Sequence, residues 1–372
     1  MIVDGRLQSD IRQGVTFEVM DEGTSMGPLS DAMKVNNTRG ILGNKDIDYE
    51  IDWTTLGEYL EALERRGVSC NVTSFVGTGT LRRYVIGGDD RDPTPAELDI
   101  MRALVRQAME DGAVGMSAAL IYPPVSYAKT EEIIELAKVV AEYDGLYISH
   151  LRSEGAAFFE ALDEIMTISR SAGVRAEIYH LKAAGRPNWD KLDEAIRRIE
   201  AARADGLPLM ADMYMYRVSG TGLDACLPPW AHDGGERALL TRLKDPETRA
   251  RIKADMNTPS TTWETMWLNV GSPERIILAG LNVAPLKRLQ DAIRRLTSFP
   301  ASTWHIRARG SLTPGYFADV VAYDPAAIQD HATYVQPHQY ATGMQHVFVN
   351  GVQVLAHGEH TGAKSGRVVR RV

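Results

Sequence analysis

The chain has 372 residues, 44% of them hydrophobic and 24% charged, a balance typical of one large globular domain with a smaller satellite. The net charge of −8 argues against a general nucleic-acid-binding protein, because phosphate contacts need a basic surface. Cys70 and Cys226 are too few for a disulfide framework and form no C-x-x-C pair, so a reducing cytoplasm is expected.

The amino terminus carries charges throughout and has no apolar stretch typical of a signal peptide. No run of 18 apolar residues follows, so we predict no membrane-spanning helix and no membrane partner. Helical texture stops at Gly14, and a strand follows at once. This abrupt start predicts that a piece of the fold belongs upstream.

Apolar strands then alternate with amphipathic helices. The predicted strands are 15–20, 69–76, 114–118, 146–151, 175–181 and 208–214. The predicted helices are 56–66, 95–111, 130–143, 156–171 and 189–204, and a glycine follows each within two residues. Repeated βα units of this kind predict a parallel sheet with helical crossovers.

Two α/β architectures are compatible with this alternation, a (β/α)₈ barrel and an open doubly wound sheet. No glycine-rich dinucleotide loop follows the first strand, which disfavours the open sheet. Polar residues instead cluster where successive strands end, and barrel enzymes place their chemistry at that rim. We therefore predict a TIM-type (β/α)₈ barrel.

The pattern changes after Trp230. A helix is predicted at 236–255, a strand at 275–279 and a helix at 286–298. Short strands at 319–323, 346–349 and 353–355 follow, and Asn350-Gly351 between the last two is typical of a type I′ hairpin turn. The sequence thus predicts a barrel at 1–305 and a small β-rich module at 306–372.

His150 and His180 are the clearest candidate metal ligands. They end two neighbouring predicted strands, LYISH and EIYH, so the two imidazoles would converge on one point. Two neutral imidazoles and a carboxylate form a zinc site with one position open for water. Two hydrogen-bonded core histidines are the alternative, but the matched positions favour metal binding. Glu22, after the first strand, is either the third ligand or a solvated loop acid.

Cationic and aromatic side chains lie near the same strand ends. Arg152 and Lys182 each follow a histidine by two residues and could bind a substrate carboxylate or form ordinary salt bridges. Aromatic hydroxyls at the mouth could contact substrate, or the rings could simply pack, at Tyr122, Tyr214 and Tyr216. Asp212 could be an acid/base or a structural acid. No G-x-S-x-G elbow occurs, and Cys70 is predicted to be a core residue.

Several longer motifs carry a specific resemblance, which runs along nearly the whole chain. They are QGVTFEVMDEGTSMGPL, SFVGTGTLRR, GAVGMSAALIYPP, YISHLRSEG, EIYHLKAAG, GSLTPGYFADVVAYDP and the closing HQYATGMQHVFVNGVQVLAHGEHTGAKSGRV. In their order and number they resemble the N-acyl-D-amino-acid deacylases (D-aminoacylases) of the metal-dependent amidohydrolase superfamily.

The resemblance implies a (β/α)₈ barrel with a small β-sandwich, zinc as cofactor, and a small-molecule substrate. The implied reaction is hydrolysis of the amide bond in N-acyl-D-amino acids, which releases a carboxylate and a D-amino acid. His150 and His180 match the family's two strand-end metal histidines, and Glu22 falls at or beside a position where many members carry a metal-binding Cys. Family positions around the substrate match Lys182, Tyr122 and one of Tyr214 or Tyr216.

The sequence also departs from the family pattern. Family members begin with a strand ending in His-x-His, which would lie upstream of the first residue here. The segment with the family's catalytic Asp and substrate-gripping Arg is missing near 286–290, so no catalytic residue is assigned and an incomplete barrel is expected. Three hypotheses follow: a zinc-dependent deacylase, a catalytically inactive remnant that still binds metal, or a related cyclic-amide hydrolase. The last explains HLKAAG and DMYMY less well.

Overall fold

The computed structural model describes residues 1–37, 49–214, 219–271, 293–294, 296–333, 336 and 338–370. The parallel strands are β1 (Phe17–Met20), β2 (Asn71–Ser74), β3 (Val76–Gly77), β4 (Gly115–Ala119), β5 (Leu146–His150), β6 (Arg175–Ile178) and β7 (Leu209–Ala211). β1 pairs with β2, and β3 to β7 form one sheet in chain order. Only Phe75 separates β2 from β3, and its N–H donates to Met20. The α/β class is confirmed, whereas closure into an eight-stranded barrel stays a prediction.

The five helices predicted at 56–66, 95–111, 130–143, 156–171 and 189–204 are observed with both ends within two residues of those positions. In chain order, the helices of the described residues are α1 (Gln8–Arg12), α2 (Asp31–Asn37), α3 (Leu56–Arg66), α4 (Thr78–Val85), α5 (Pro95–Glu110), α6 (Thr130–Glu142), α7 (Phe158–Ala172), α8 (Lys191–Ala204), α9 (Glu236–Lys244), α10 (Pro246–Met256), α11 (Met266–Val270) and α12 (Ser298–Thr303). Capping boxes start α3 and α5, in which Thr55 pairs with Glu58 and Thr94 with Glu97.

The helices also differ from the prediction, because α2, α4, α11 and α12 were not predicted and one predicted helix is two. The stretch 236–255 is two helices, because Pro246 starts α10 and the Asp245 carboxylate caps it through Thr248 N–H. α4 was not predicted, since its Thr-Gly-Thr start is typical of a loop. The predicted strand 275–279 and the shortened segment 286–290 lie outside the described residues.

The carboxyl-terminal part is an antiparallel sheet in the order β11-β10-β9-β8. Its strands are β8 (Val320–Tyr323), β9 (Met344–Val349), β10 (Val352–Ala356) and β11 (Glu359–His360). Between β9 and β10, Asn350 has φ 51° and Gly351 has φ 82°. Two successive positive φ angles define the type I′ turn, so the hairpin prediction is confirmed.

This sheet packs directly on the βα units. One hydrophobic cluster contains Val349 and Val354 of the sheet together with Ile11 of α1 and Val72 of β2. The backbone near Val368 also bonds to both sides of Val72. The two parts are in contact, so the domain boundary at 305/306 stays a prediction. Within the described part of the chain, no helix combines the length and the apolar character needed to cross a membrane.

Candidate metal centre

Three strand ends bring the predicted ligands together. Glu22 follows β1, His150 ends β5 and His180 lies just after β6, and parallel strands direct these ends to one edge. Glu22 Oε1 lies 3.2 Å from His150 Nδ1 and 2.8 Å from His180 Nε2, and the two nitrogens are 3.0 Å apart. In the described residues this is the one group of three or more His, Cys, Asp or Glu residues that could hold a metal ion.

The backbone around these ligands is held by neighbouring strand ends. His180 has φ 37°, an uncommon value for a side-chain-bearing residue, and its N–H donates to Asp212 Oδ1 at 2.5 Å. Tyr179 Oη donates to Asp21 O at 2.8 Å, and Ser74 donates to the Asp21 carboxylate. Asp212 therefore fixes the loop of His180, which favours the structural role over acid/base chemistry.

The electrostatics of the cluster follow from these contacts. Burial raises the pKa of Glu22, but the hydrogen bonds from His150 and His180 outweigh burial and hold that pKa well below its usual range. Burial lowers the pKa of His180, yet its bonds to Glu154 and Glu22 raise it to about 9. The cluster without metal is thus a carboxylate bound to a protonated imidazole, and metal binding would release that proton.

Glu154 belongs to this cluster, although the sequence did not single it out. Its Oε1 lies 3.1 Å from His180 Nδ1, 2.6 Å from Lys182 Nζ and 3.7 Å from His150 Nε2. Arg152, two residues before Glu154, pairs with Glu164. The available signal was an acid four residues after a strand-end histidine, in HLRSEG.

The predicted substrate-binding side chains lie at different distances from the cluster. The Tyr122 ring is 5.3 Å from that of His150, and the Tyr214 ring is 6.0 Å from that of His180. Lys182 Nζ lies 2.8 Å from His180 Nδ1. Besides its salt bridge to Glu164, Arg152 donates hydrogen bonds to Ser126 O and Ala128 O. Tyr216 lies outside the described residues.

The donor set fits zinc. Ligand atoms about 2.0–2.1 Å from a tetrahedral ion are about 3.3 Å apart, and the three atoms here are 2.8–3.2 Å apart. The two imidazole nitrogens and the carboxylate oxygen all point at one another. A cation placed between them would stabilise this arrangement. Among the described residues His150 Nε2 is buried without a hydrogen-bond partner, and the nitrogen that makes hydrogen bonds is Nδ1, which faces the cluster.

Comparisons with known proteins identify the family. A D-aminoacylase and an N-acyl-D-aspartate deacylase, both from Alcaligenes xylosoxydans xylosoxydans, are each 31% identical to this chain. The matches cover 97% and 95% of this chain and 82% and 78% of those proteins, respectively. No family model matches the chain.

Solved structures agree. A D-aminoacylase crystal structure superposes with a TM-score of 0.75 at 27% identity, over 100% of this chain and 86% of that one. An L-hydantoinase from Arthrobacter aurescens, at 13% identity and a TM-score of 0.57 over 100% of this chain and 86% of that one, shares the fold. The chain therefore belongs to the D-aminoacylase family of amidohydrolases, whose members act on carbon–nitrogen bonds other than peptide bonds.

Proposed function

We propose that this chain is a zinc-dependent hydrolase that cleaves N-acyl-D-amino acids into a carboxylate and a D-amino acid. The convergence of Glu22, His150 and His180 in a member of this family is the observation that carries the proposal. A solved D-aminoacylase is described as having a binuclear metal centre, which supports metal dependence. An N-acyl-D-glutamate deacylase solved with zinc and a phosphonate inhibitor is 24% identical and supports the shared fold.

The proposed mechanism assigns roles to this chain's own residues. Glu22, His150 and His180 would hold the ion. Zinc held there would supply Lewis-acid chemistry, which polarises an amide carbonyl and activates water for attack. The Lys182 ammonium, which is within reach of the cluster, would bind the substrate carboxylate and orient the amide.

Two tyrosines complete the proposed substrate site. Burial raises the pKa of Tyr122 to about 12, so its hydroxyl stays protonated and able to donate a hydrogen bond. Tyr214 lies with its ring 5.4 Å from Lys182 Nζ, which places an aromatic face beside the proposed carboxylate site. The sequence also assigned Arg152 and Tyr216 to the substrate, and a substrate carboxylate would have to displace existing contacts of Arg152.

Three further predictions belong to this proposal. They are an incomplete (β/α)₈ barrel at 1–305 that carries the β-rich module 306–372, a small-molecule substrate as the partner, and a cytoplasmic location. The described cysteines are free and buried, which fits a reducing compartment.

A second candidate is a metal-binding remnant without catalysis. The family's catalytic Asp and its substrate-gripping Arg would fall near 286–290, where the sequence runs ILAGLNVAPLKRLQ directly into DAIRRL. Loss of a positioned proton carrier commonly costs 10²–10⁴-fold in rate. The cyclic-amide hydrolase hypothesis has only the shared fold with a hydantoinase to support it.

One assay separates the three. Purified chain is loaded with zinc and offered N-acetyl-D-leucine, N-acetyl-L-leucine and a cyclic hydantoin, with metal content measured on the same sample. Hydrolysis of the D substrate that stops on chelation supports the deacylase. Background turnover by fully loaded protein supports the remnant, and turnover of the hydantoin alone supports the third hypothesis.

A further inference from the structure

The Glu264 carboxylate is buried against the loop that follows β5. Its Oε2 accepts hydrogen bonds from Glu154 N–H at 3.1 Å, from Gly155 N–H at 3.2 Å and from the Ser153 hydroxyl. Its Oε1 accepts from the Asn269 side-chain amide. In the described part of the chain, the Glu264 carboxylate contacts hydrogen-bond donors and not a cationic side chain. One carboxylate therefore holds three consecutive residues of the loop, 153–155.

The loop is shaped to receive this carboxylate. A Cβ at position 155 would lie within 2.6 Å of both Glu264 Oε1 and Asn269 Nδ2, so the glycine lets both side chains approach the loop in their observed positions. Ser153, Glu154 and Glu264 are each less than a tenth exposed. Without this acceptor the buried Glu154 N–H would lose its hydrogen bond to Glu264, which is unfavourable for a donor shielded from water.

The restraint reaches the candidate metal centre through Glu154. Its N–H donates to Glu264, and its carbonyl accepts from Ala184 N–H at 2.7 Å, so its backbone is held on both sides. Its side chain then meets His180 Nδ1 and Lys182 Nζ. A carboxylate on the far nitrogen of a ligating histidine fixes the ring orientation and raises its basicity.

We propose that Glu264 is a positioning residue that holds the Glu154 carboxylate on His180 and Lys182. Glu264 comes after β7 and α10, 110 residues after Glu154 in the chain. A residue that does not follow a strand of the parallel sheet would thus help to set the geometry of the metal centre. The effect on zinc affinity rests on the proposed function, whereas the restraint on the loop does not. Glu264 acts through Glu154 and does not touch metal or substrate.

The test compares Glu264→Ala, Glu264→Gln, Glu154→Ala and the double alanine variant, with the exposed Glu247→Ala of α10 as matched control. Amide hydrogen exchange reports on the backbone at 153–155, and chelator competition reports on zinc affinity. We expect Glu264→Ala to speed exchange of these amides at least tenfold and to weaken zinc binding 10–100-fold. Glu264→Gln keeps one acceptor oxygen and should retain most of both properties, and Glu247→Ala should match the parent chain.

Coupling decides whether Glu264 works through Glu154. With Glu154 already removed, Glu264→Ala should cause little further loss of zinc affinity, because the carboxylate that it positions is gone. Fully additive losses, or unchanged exchange at 153–155, would overturn the proposal. If Glu264→Ala does not fold, Asn269→Ala removes the donor to Glu264 Oε1 and should give a smaller increase in exchange; no increase refutes it. A parent chain that binds no zinc refutes the proposed function, while the exchange comparison still decides the role of Glu264.

Discussion

Glu22 Oε1 lies 2.8 Å from Nε2 of His180, although 158 residues separate them along the chain. The contact exists because β1 and β6 run parallel, so the residues that follow both strands lie at the same edge. His150 Nδ1 joins the pair within 3.2 Å of the carboxylate. Three side chains from distant segments thus supply three donor atoms around one point, which is the requirement for a zinc site with an open position.

Removal of both histidines should abolish metal binding. We expect about one zinc per parent chain after dialysis, and none in the His150→Ala/His180→Ala variant, because a lone carboxylate binds zinc weakly. Elemental analysis of dialysed protein measures this. His346→Ala/His357→Ala is the matched control, since these rings also meet edge to face, 4.8 Å apart, but lie on β9 and just after β10. Equal zinc in both double variants would contradict the assignment.

Lys182→Met should weaken binding of the substrate carboxylate. A charge-assisted hydrogen bond contributes about 1.5–3 kcal/mol, so KM should rise roughly 10–100-fold with a smaller change in kcat. Steady-state kinetics on zinc-loaded protein measure both constants. An N-acyl amine without the carboxylate should lose much less activity than the N-acyl-D-amino acid, because only the latter uses the ammonium; equal losses on both substrates would exclude this role. Lys129→Met, an exposed cation paired with Asp92, is the control.

The sequence predicted those parts of the fold that depend on local signals. α3 was predicted at 56–66 because Gly67 follows its last turn, and the ligands His150 and His180 were recognised because they end predicted apolar strands. Glu154 was missed because its partners His180 and Lys182 lie 26 and 28 residues away, and no periodicity encodes that contact. Long-range hydrogen bonds, such as that to Glu264, form only once the strand ends have assembled.

Asn71→Ala should destabilise the contact between the βα units and the carboxyl-terminal sheet. The buried Asn71 amide donates to Thr16 O and Asp319 Oδ2, both at 3.1 Å, and its oxygen accepts from Asn350 at 2.8 Å. The Asp319 carboxylate also accepts from Arg309, so the substitution leaves a charged network short of partners. We expect a loss of about 3 kcal/mol in the free energy of unfolding.

Urea unfolding followed by circular dichroism measures this loss, and Gln339→Ala on the exposed surface is the control. A loss below about 0.5 kcal/mol, the usual range for surface substitutions, would show that the network does not couple the two parts. A separate transition in Asn71→Ala that is absent from the parent would instead support folding of 306–372 as its own unit.

Glu177 should make the stability of the fold depend on pH. Its carboxylate is buried and accepts from Trp304 Nε1 at 2.7 Å, and burial raises its pKa from 4.5 to about 7. The folded state therefore favours the protonated acid. The protein keeps its full stability below about pH 4.5, where Glu177 is protonated in both states, and loses stability as the pH rises through 7. A shift of this size corresponds to at most about 3 kcal/mol.

Glu177→Gln keeps an acceptor for Trp304 and cannot ionise, so it should be more stable than the parent at pH 8 and similar to it at pH 4.5. Unfolding by urea at both pH values tests this, with Glu247→Gln as an exposed control; a parent and variant that lose stability equally between pH 4.5 and 8 would rule out Glu177 as the cause.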